Sequence, residues 1–377
     1  MKTFKAAVFG TGFMGRVHTE GLRRLGNVEV AVVAGSTQAA AEAFAAQRNI
    51  PRATADWRSA IAEVDVVHIC TPNALHYPMA LAALELGKHV LCEKPLTLNE
   101  SEARELAATA KSKNLANCVN HNLRFYPVVQ QIRDMIAAGE LGDVLIVNGT
   151  YFQEWMLLET DWNWRAAVDA GGELRAMGDI GSHWMDMIQH LTGLPITALC
   201  ADLATFHKKR KKPRGSVETF TGKAQAAESE DITVETDDFG AVLLRLGDRA
   251  RGSFAVSQVS AGRKNRFEFE IYGTKGGVAW NQERPDELWM GHRGAPNQLL
   301  VKDPNLMARH AATFADLPGG HSEGYDDTFK QMFRRFYAHV ADPGTTVEYP
   351  TFDDGARGMH LLGKVLESSK ARGWVQV

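Results

Sequence analysis

The sequence predicts a two-part chain. Residues 1–122 form an α/β, doubly wound parallel sheet, and residues 123–377 form an α+β domain on a large, mainly antiparallel open sheet. Three observations predict it. Short apolar strands alternate with helical segments over the first third of the chain. After Asn120 that rhythm gives way to consecutive strands without helices between them. The length of 377 residues also exceeds one compact domain at roughly 100–200 residues each.

The elements follow in order. Residues 5–9 are a short apolar run stopped by Gly10, which suits a strand buried on both faces. A helix opens after Gly15, residues 28–34 repeat the strand signal, and the alanine-rich stretch 38–47 has helical spacing. A third strand covers 64–70, a third helix 78–86 and a fourth strand 89–92. Right-handed crossovers place the strand C-termini on one edge, where ligands bind. In the second part, 127–138 reads as a helix ended by Gly139-Glu140-Leu141-Gly142. Strands are expected at 144–152, 196–205, 232–236, 240–246, 249–257 and 266–272, and closing helices at 329–340 and 355–369; the last of these can pack back on the first domain.

Composition excludes several classes. Hydrophobic residues make up 45%, enough for a core, so the chain is not mainly disordered. Lys+Arg 42 against Asp+Glu 45 leaves −3, with no basic excess for a phosphate polymer or an anionic leaflet; neither nucleic acid nor membrane is expected as a partner. The basic run His207-Lys208-Lys209-Arg210-Lys211-Lys212-Pro213-Arg214 reads as a solvated loop between two sheet strands, because no aromatic residues interleave its charges. The cysteines at 70, 92, 118 and 200 form no C-x-x-C pair or ligand-spaced cluster, so no metal site is expected and a reduced cytosol fits. The N-terminal apolar run is too short for a signal segment, and no stretch approaches the roughly 20 apolar residues of a membrane span. A cytoplasmic protein is the expectation.

Gly10-Thr11-Gly12-Phe13-Met14-Gly15 matches G-x-G-x-x-G directly after a strand and at the start of a helix, the context a dinucleotide site requires. The first glycine permits the turn, the second admits the pyrophosphate and the third allows close packing, while the helix N-terminus supplies positive potential. The carboxylate that would read a ribose 2′-hydroxyl, expected about 20 residues past the last glycine, is missing. Gly35-Ser36-Thr37 stands there, and two hydroxyls without a carboxylate favour NADP over NAD. Glu93-Lys94-Pro95 follows the fourth strand, and a lysine at that edge can bond the oxygen of a reacting alcohol.

These motifs, with Thr71-Pro72-Asn73 and His76 after the third strand and Asn120-His121-Asn122-Leu123-Arg124-Phe125-Tyr126-Pro127 between the domains, resemble the glucose–fructose oxidoreductase / inositol dehydrogenase / MocA family. The likeness runs essentially end to end. It implies an NAD(P)-binding Rossmann domain, with Thr71, Pro72, Asn73, His76, Glu93, Lys94 and Asn122 joining the glycine loop and Ser36 and Thr37 around the cofactor. It also implies a sugar, cyclitol or related polyol substrate, and a homodimer or homotetramer formed through the C-terminal sheet.

The segment 171–186 reads as a glycine-rich approach to a helix. Asp179 and His183 are four apart, so they project from one face, and a carboxylate beside an imidazole suits a base that removes a hydroxyl proton. A local Asp–His pair would look the same; the resemblance implies that both contact substrate. Tyr151, Trp162, Trp164 and Arg165 mix aromatic faces with polar groups as a polyhydroxylated ring requires, although a buried aromatic cluster has the same composition. Arg124 joins Lys94 and Arg165 as a cation for a polar ligand. His321 lies in a loop that can cap a pocket or simply lead into a helix. The combined expectation is an NAD(P)-dependent oxidoreductase: His183 accepts the hydroxyl proton, Lys94 bonds the same oxygen and Asp179 tunes the imidazole. The alternatives are a dihydrodiol or nucleotide-sugar enzyme on the same fold, or a non-catalytic dinucleotide- or sugar-binding regulator, which would have no need of the proton-transfer set.

Overall fold

The computed structural model describes residues 3–214 and 228–377. The chain divides into one unit of Met1–Asn122, Asp169–Gly172 and Phe329–His360, and a second of Leu123–Val168, Glu173–Thr328 and Leu361–Val377.

In the first unit β1 (Phe4–Phe9), α1 (Phe13–Arg23), β2 (Val28–Ala34), α2 (Gln38–Gln47), β3 (Arg52–Thr54), α3 (Trp57–Ile61), β4 (Val66–Ile69), α4 (His76–Glu85), β5 (His89–Cys92), α5 (Glu100–Ser112) and β6 (Asn117–Val119) alternate along the chain. The six strands lie in the order β3-β2-β1-β4-β5-β6, every pair parallel. The order reverses between β1 and β4, and at such a switch point a crevice opens outside the strand C-termini. Ala6, Val8, Phe9, Val66, Val67 and Ile69 are buried, as a sheet covered on both faces demands. The sequence reading gave four of these strands. It passed over β3, which has three residues, and over α5 and β6, although Asn99 caps α5 by accepting from the Glu102 N–H at 3.0 Å.

The second unit holds α6 (Pro127–Ala137), β7 (Val144–Phe152), α8 (Ser182–Thr192), β8 (Ile196–Ala204), β9 (Lys209–Pro213), β10 (Ser229–Thr233), β11 (Phe239–Leu246), β12 (Ala250–Ser257), β13 (Arg266–Gly273), β14 (Gly277–Asn281), β15 (Glu287–Gly291) and β16 (Gln298–Val301), with β17 (Val375–Gln376) at the end of the chain. The short α7 (Val168–Gly171) and the long α9 (Tyr325–Ala341) and α10 (Phe352–Ala371) each contribute residues to both units. A nine-stranded sheet runs β16-β15-β14-β13-β7-β12-β11-β8-β17. Its pairs are antiparallel except β7 with β12. Helix α8 lies on one face, where Trp184 stacks on Phe254 at 4.4 Å and donates to the Glu268 carbonyl at 3.2 Å. Gly149 makes room for it, since a Cβ there would come within 2.6 Å of the indole nitrogen.

Two expectations fail in this unit. The strand expected at 232–236 is β10, and it pairs with β9 in a separate two-stranded sheet. The basic run is accordingly not a loop: its centre is β9, whose alternation turns Arg210 inward while Lys209 and Lys211 stay exposed. Among the described residues no helix is long and apolar enough to cross a membrane.

Candidate active site

In the first unit the glycine loop joins β1 to α1, and the three glycines serve different ends. A Cβ on Gly10 (φ +115°) would sit 2.4 Å from the Cys70 carbonyl oxygen, and one on Gly15 would sit 2.0 Å from the Gly10 carbonyl oxygen. Both are required by the protein's own packing. A Cβ on Gly12 would meet nothing within 4 Å, so that glycine leaves open space over the helix end. No side chain caps α1, and its first turn carries no acid. Backbone N–H groups and helix dipole thus face a cleared surface, which fits a dinucleotide pyrophosphate held by Gly10, Thr11, Gly12, Phe13, Met14 and Gly15.

Ser36 and Thr37 are exposed beyond β2. The Thr37 hydroxyl accepts from the Ala40 N–H at 3.1 Å and is the N-cap of α2. Its sequence position is therefore explained by the helix, which removes half of the hydroxyl argument that favoured NADP.

The loops after β4 and β5 are tied together. Both ring nitrogens of buried His76 face carbonyls, those of Pro95 at 2.8 Å and Thr71 at 2.9 Å, and the Asn73 amide donates to the Gly171 carbonyl at 2.9 Å. His76, expected at the cofactor, thus holds the Thr71-Pro72 and Lys94-Pro95 loops together, and Asn73, also expected there, ties the first of them to Gly171. Glu93 is buried at the end of β5 and takes hydrogen bonds from His18 Nε2 at 3.0 Å, from the Asn120 amide and from the Lys94 N–H at 3.2 Å. Burial pushes its carboxyl up, but His18, Lys94 and Asn120 together outweigh burial and hold it below the usual range. Lys94 itself is half-buried, and Asn122 is buried at the end of this unit.

In the second unit Asp179 lies in a π-helical turn, Met177–Gly181, that runs directly into α8 and His183. Such turns occur often at functional sites. Gln258 Nε2 donates to Asp179 Oδ2 at 2.9 Å, and Arg165 Nε lies 3.3 Å from Asp179 Oδ1. The Arg165 guanidinium also covers the Trp164 ring at 4.3 Å. Buried Tyr151 has its ring 6.4 Å from His183 and donates to Asn265 Oδ1 at 2.8 Å. Burial, reinforced by the Asp179 charge, pushes its phenol far up, so it stays a neutral donor.

A buried ionic cross-link supports this turn. Asp237 accepts from the Arg175 and Met177 N–H groups, both at 2.7 Å. Asp238 pairs with Arg175 and with Arg210, the latter at 2.7 Å, and all three side chains are fully buried. Arg210 also donates to the carbonyls of Leu158 at 2.8 Å, Met156 at 2.9 Å and Asp161 at 3.1 Å. It therefore links the segment leading to Arg165 with the segment leading to Asp179. Burial pushes Asp238 up, yet Arg175 and Arg210, with backbone N–H donors, hold it below the aspartate range.

Two expected substrate residues have other occupations. Arg124 forms a buried bidentate pair with Asp186, its Nε at 2.7 Å. Trp162 packs in a cluster with Met156, Ala166 and Val234. His321 is exposed in a loop pinned by buried Lys302, which bonds the His321 carbonyl at 2.8 Å and the Glu323 carboxylate. Sequence reasoning missed His18, Gln258, Arg175, Asp237 and Asp238. The signal available for His18 was a polar residue on the buried face of α1. Among the described residues no group of three or more His, Cys, Asp or Glu can hold a metal ion.

Comparison with known proteins bears on both units. Residues 4–121 match the model of an oxidoreductase family with an NAD-binding Rossmann fold, and residues 129–279 match the GFO/IDH/MocA C-terminal domain. Levoglucosan dehydrogenase of Pseudarthrobacter phenanthrenivorans is 30% identical over 100% of this chain and 99% of its own. Trans-1,2-dihydrobenzene-1,2-diol dehydrogenase of Mus musculus is 32% identical over 72% of this chain and 69% of its own. The solved structure of levoglucosan dehydrogenase in complex with NADH and L-sorbose superposes with a TM-score of 0.90 at 28% identity, covering 100% of this chain and 99% of that one.

Proposed function

The chain belongs to the GFO/IDH/MocA oxidoreductase family, and on that premise we propose that it is an NAD-dependent dehydrogenase of a secondary hydroxyl on a sugar, anhydrosugar or cyclitol. The observation that carries the reading is Asp179: a carboxylate fixed by Gln258 and Arg165 on the π turn that leads into His183, in a chain whose other unit has a cleared dinucleotide cradle.

Held at the glycine loop, a nicotinamide dinucleotide would supply the acceptor for the carbinol hydride. The chain's own groups do the rest. His183 takes the hydroxyl proton and Lys94 donates to the same oxygen, stabilising its developing charge. Asp179 orients the imidazole and accepts from a neighbouring hydroxyl. Arg165, held over Trp164, is a donor on the polar side of the ring, and Tyr151 is a neutral wall beside His183. NAD is preferred to NADP: Thr37 is committed as a helix cap, no arginine or lysine occupies 35–37, and the related levoglucosan dehydrogenase was solved with NADH.

Self-association through the nine-stranded sheet is part of the reading. One rung, Leu243, Ser253, Asn148, Glu270, Ala279, Trp289 and Leu299, crosses the sheet. It lies on the face opposite Gly149 and Trp184, and Leu243 and Leu299 are exposed there. Sedimentation of the wild type and of Leu243→Lys tests it; a monomeric wild type would refute it. The activity is tested by screening sugars, glycosides, anhydrosugars and inositols with NAD and NADP in parallel. Reduction of NAD by members of this panel is expected. Strict NADP dependence would refute the cofactor choice, and turnover of a dihydrodiol alone would move the substrate class.

A further inference from the structure

Behind Glu93 lies a line of buried polar groups that the reaction scheme leaves unused. His18 Nδ1 is 3.0 Å from His68 Nδ1, and His68 Nε2 is 3.1 Å from the Tyr337 hydroxyl. His18 and His68 are 0% exposed and Tyr337 2%. Phe333 closes on both imidazoles at 5.0 Å, and Phe329 lies 5.8 Å from His18, so the line runs through an apolar wall. Burial, and then the neighbouring His18, push the His68 imidazolium well down, so His68 is neutral.

With His68 neutral, the donors and acceptors can pair without conflict along the line. The Tyr337 O–H donates to His68 Nε2, His68 Nδ1–H donates to His18 Nδ1, and His18 Nε2–H donates to Glu93 Oε1. Each hydrogen then has an acceptor, and the line ends on a carboxylate whose other oxygen accepts from the Lys94 N–H. Side chains from α1, β4 and α9 thus line up behind the turn that carries Lys94. A buried polar network has this value when it is fully satisfied. Nothing in the phosphate cradle requires two adjacent buried histidines, and apolar residues would fill the same space without desolvation cost.

We propose that His18, backed by His68 and Tyr337, is a positioning residue: it holds the Glu93 carboxylate on the Lys94 backbone and thereby fixes the lysine that bonds the substrate oxygen. The proposal rests on the functional reading above and deepens it by naming what orients Lys94.

The experiment compares wild type, His18→Leu, His18→Gln and Tyr337→Phe. Carbon-13 NMR follows the Glu93 carboxyl titration, assigned by its loss in Glu93→Gln; kcat and KM are measured across pH, and NADH affinity by fluorescence. The groups facing Glu93 are His18 on α1, Asn120 beyond β6, Lys94 in its own turn, and the Cys70 and Cys92 thiols. Removing His18 leaves burial opposed only by Lys94 and Asn120. Glu93 should then titrate higher than in the wild type, and the acid limb of kcat should move to higher pH with it.

The expected result is a kcat lower by ~10-fold or more in His18→Leu, on the scale of lost orientation, with NADH affinity unchanged. Partial recovery is expected in His18→Gln, which keeps a donor. Tyr337→Phe should shift both readouts less and in the same direction, and it serves if the His18 variants do not fold. An unmoved Glu93 titration would overturn the proposal, and so would a moved titration with unchanged kcat. A wild type that turns over no member of the panel defeats the functional reading instead, and that failure is visible before any variant is made.

Discussion

Replacing Arg210 with methionine tests whether the basic run is structural. The guanidinium is fully buried and meets Asp238 at 2.7 Å, and it holds three carbonyls between Met156 and Asp161. Methionine fills much of the volume but offers no donor, leaving those carbonyls bare and Asp238 with Arg175 as its remaining guanidinium. Breaking a buried ion pair by removing one partner costs about 3–5 kcal/mol. At roughly 2–4 °C per kcal/mol for a body of 150–250 residues, the second unit should melt ~6–20 °C lower. Lys211 and Lys212 are the internal controls. Their pairs with Asp231 at 3.4 Å and Glu230 at 3.7 Å have side chains about half exposed, so methionine there should cost less than ~1 kcal/mol. Thermal melts and urea titrations followed by tryptophan fluorescence measure all three. Asp238 titrates below its unfolded value of about 3.9, so its stabilisation is present above that pH and disappears as pH falls through the folded value. The gap between wild type and Arg210→Met should therefore narrow in acid. An Arg210→Met protein that melts with the two lysine variants at pH 7 would refute the reasoning.

Lys94→Ala and His183→Ala should each lower kcat by ~10²-fold or more while NADH still binds; near-normal turnover in either removes that residue from the scheme. Gly12→Ala should leave the melting temperature close to wild type, because its methyl enters open space. NADH affinity measured by fluorescence should fall by ~10-fold or more, about 1.4 kcal/mol; unchanged affinity would mean that the cleared space is not the phosphate cradle. Thr37→Ala should destabilise by about 1 kcal/mol through the lost cap of α2 without altering the ratio of NAD to NADP turnover. A switch in that ratio would restore Thr37 as a cofactor contact.

What was legible in the sequence was what depends on local pattern. The bounds of β2, β5, α2 and β7 follow from apolar runs, alanine spacing and flanking glycines, and the structure places them at the expected residues. The glycine loop was legible because its motif carries its own context. The cross-link was not, because contacts distant in sequence leave no local mark: Arg175 meets Asp238 63 residues away, and His68 meets Tyr337 269 residues away. Charge alone misled at 208–212, where Arg210 was read with its neighbours although it is the one arginine among lysines. Arginine's planar fork suits a buried pair better than a lysine does. Trp162 and Arg124 were assigned to substrate by composition, and composition does not distinguish a ring that stacks on a sugar from one that packs on Met156. For β14, β15 and β16 the obstacle was length: five, five and four residues give too few alternations to establish a period.

The most direct test of the account is the initial rate of NAD reduction, read by the near-ultraviolet absorbance of reduced nicotinamide, for wild type and His183→Ala across the sugar and cyclitol panel. The account predicts turnover by the wild type on members of that panel and a rate at least ~10²-fold lower for the variant, with equal NADH affinity. Equal rates in the two proteins would contradict it, as would a wild type that binds NADH and reduces NAD with none of these substrates.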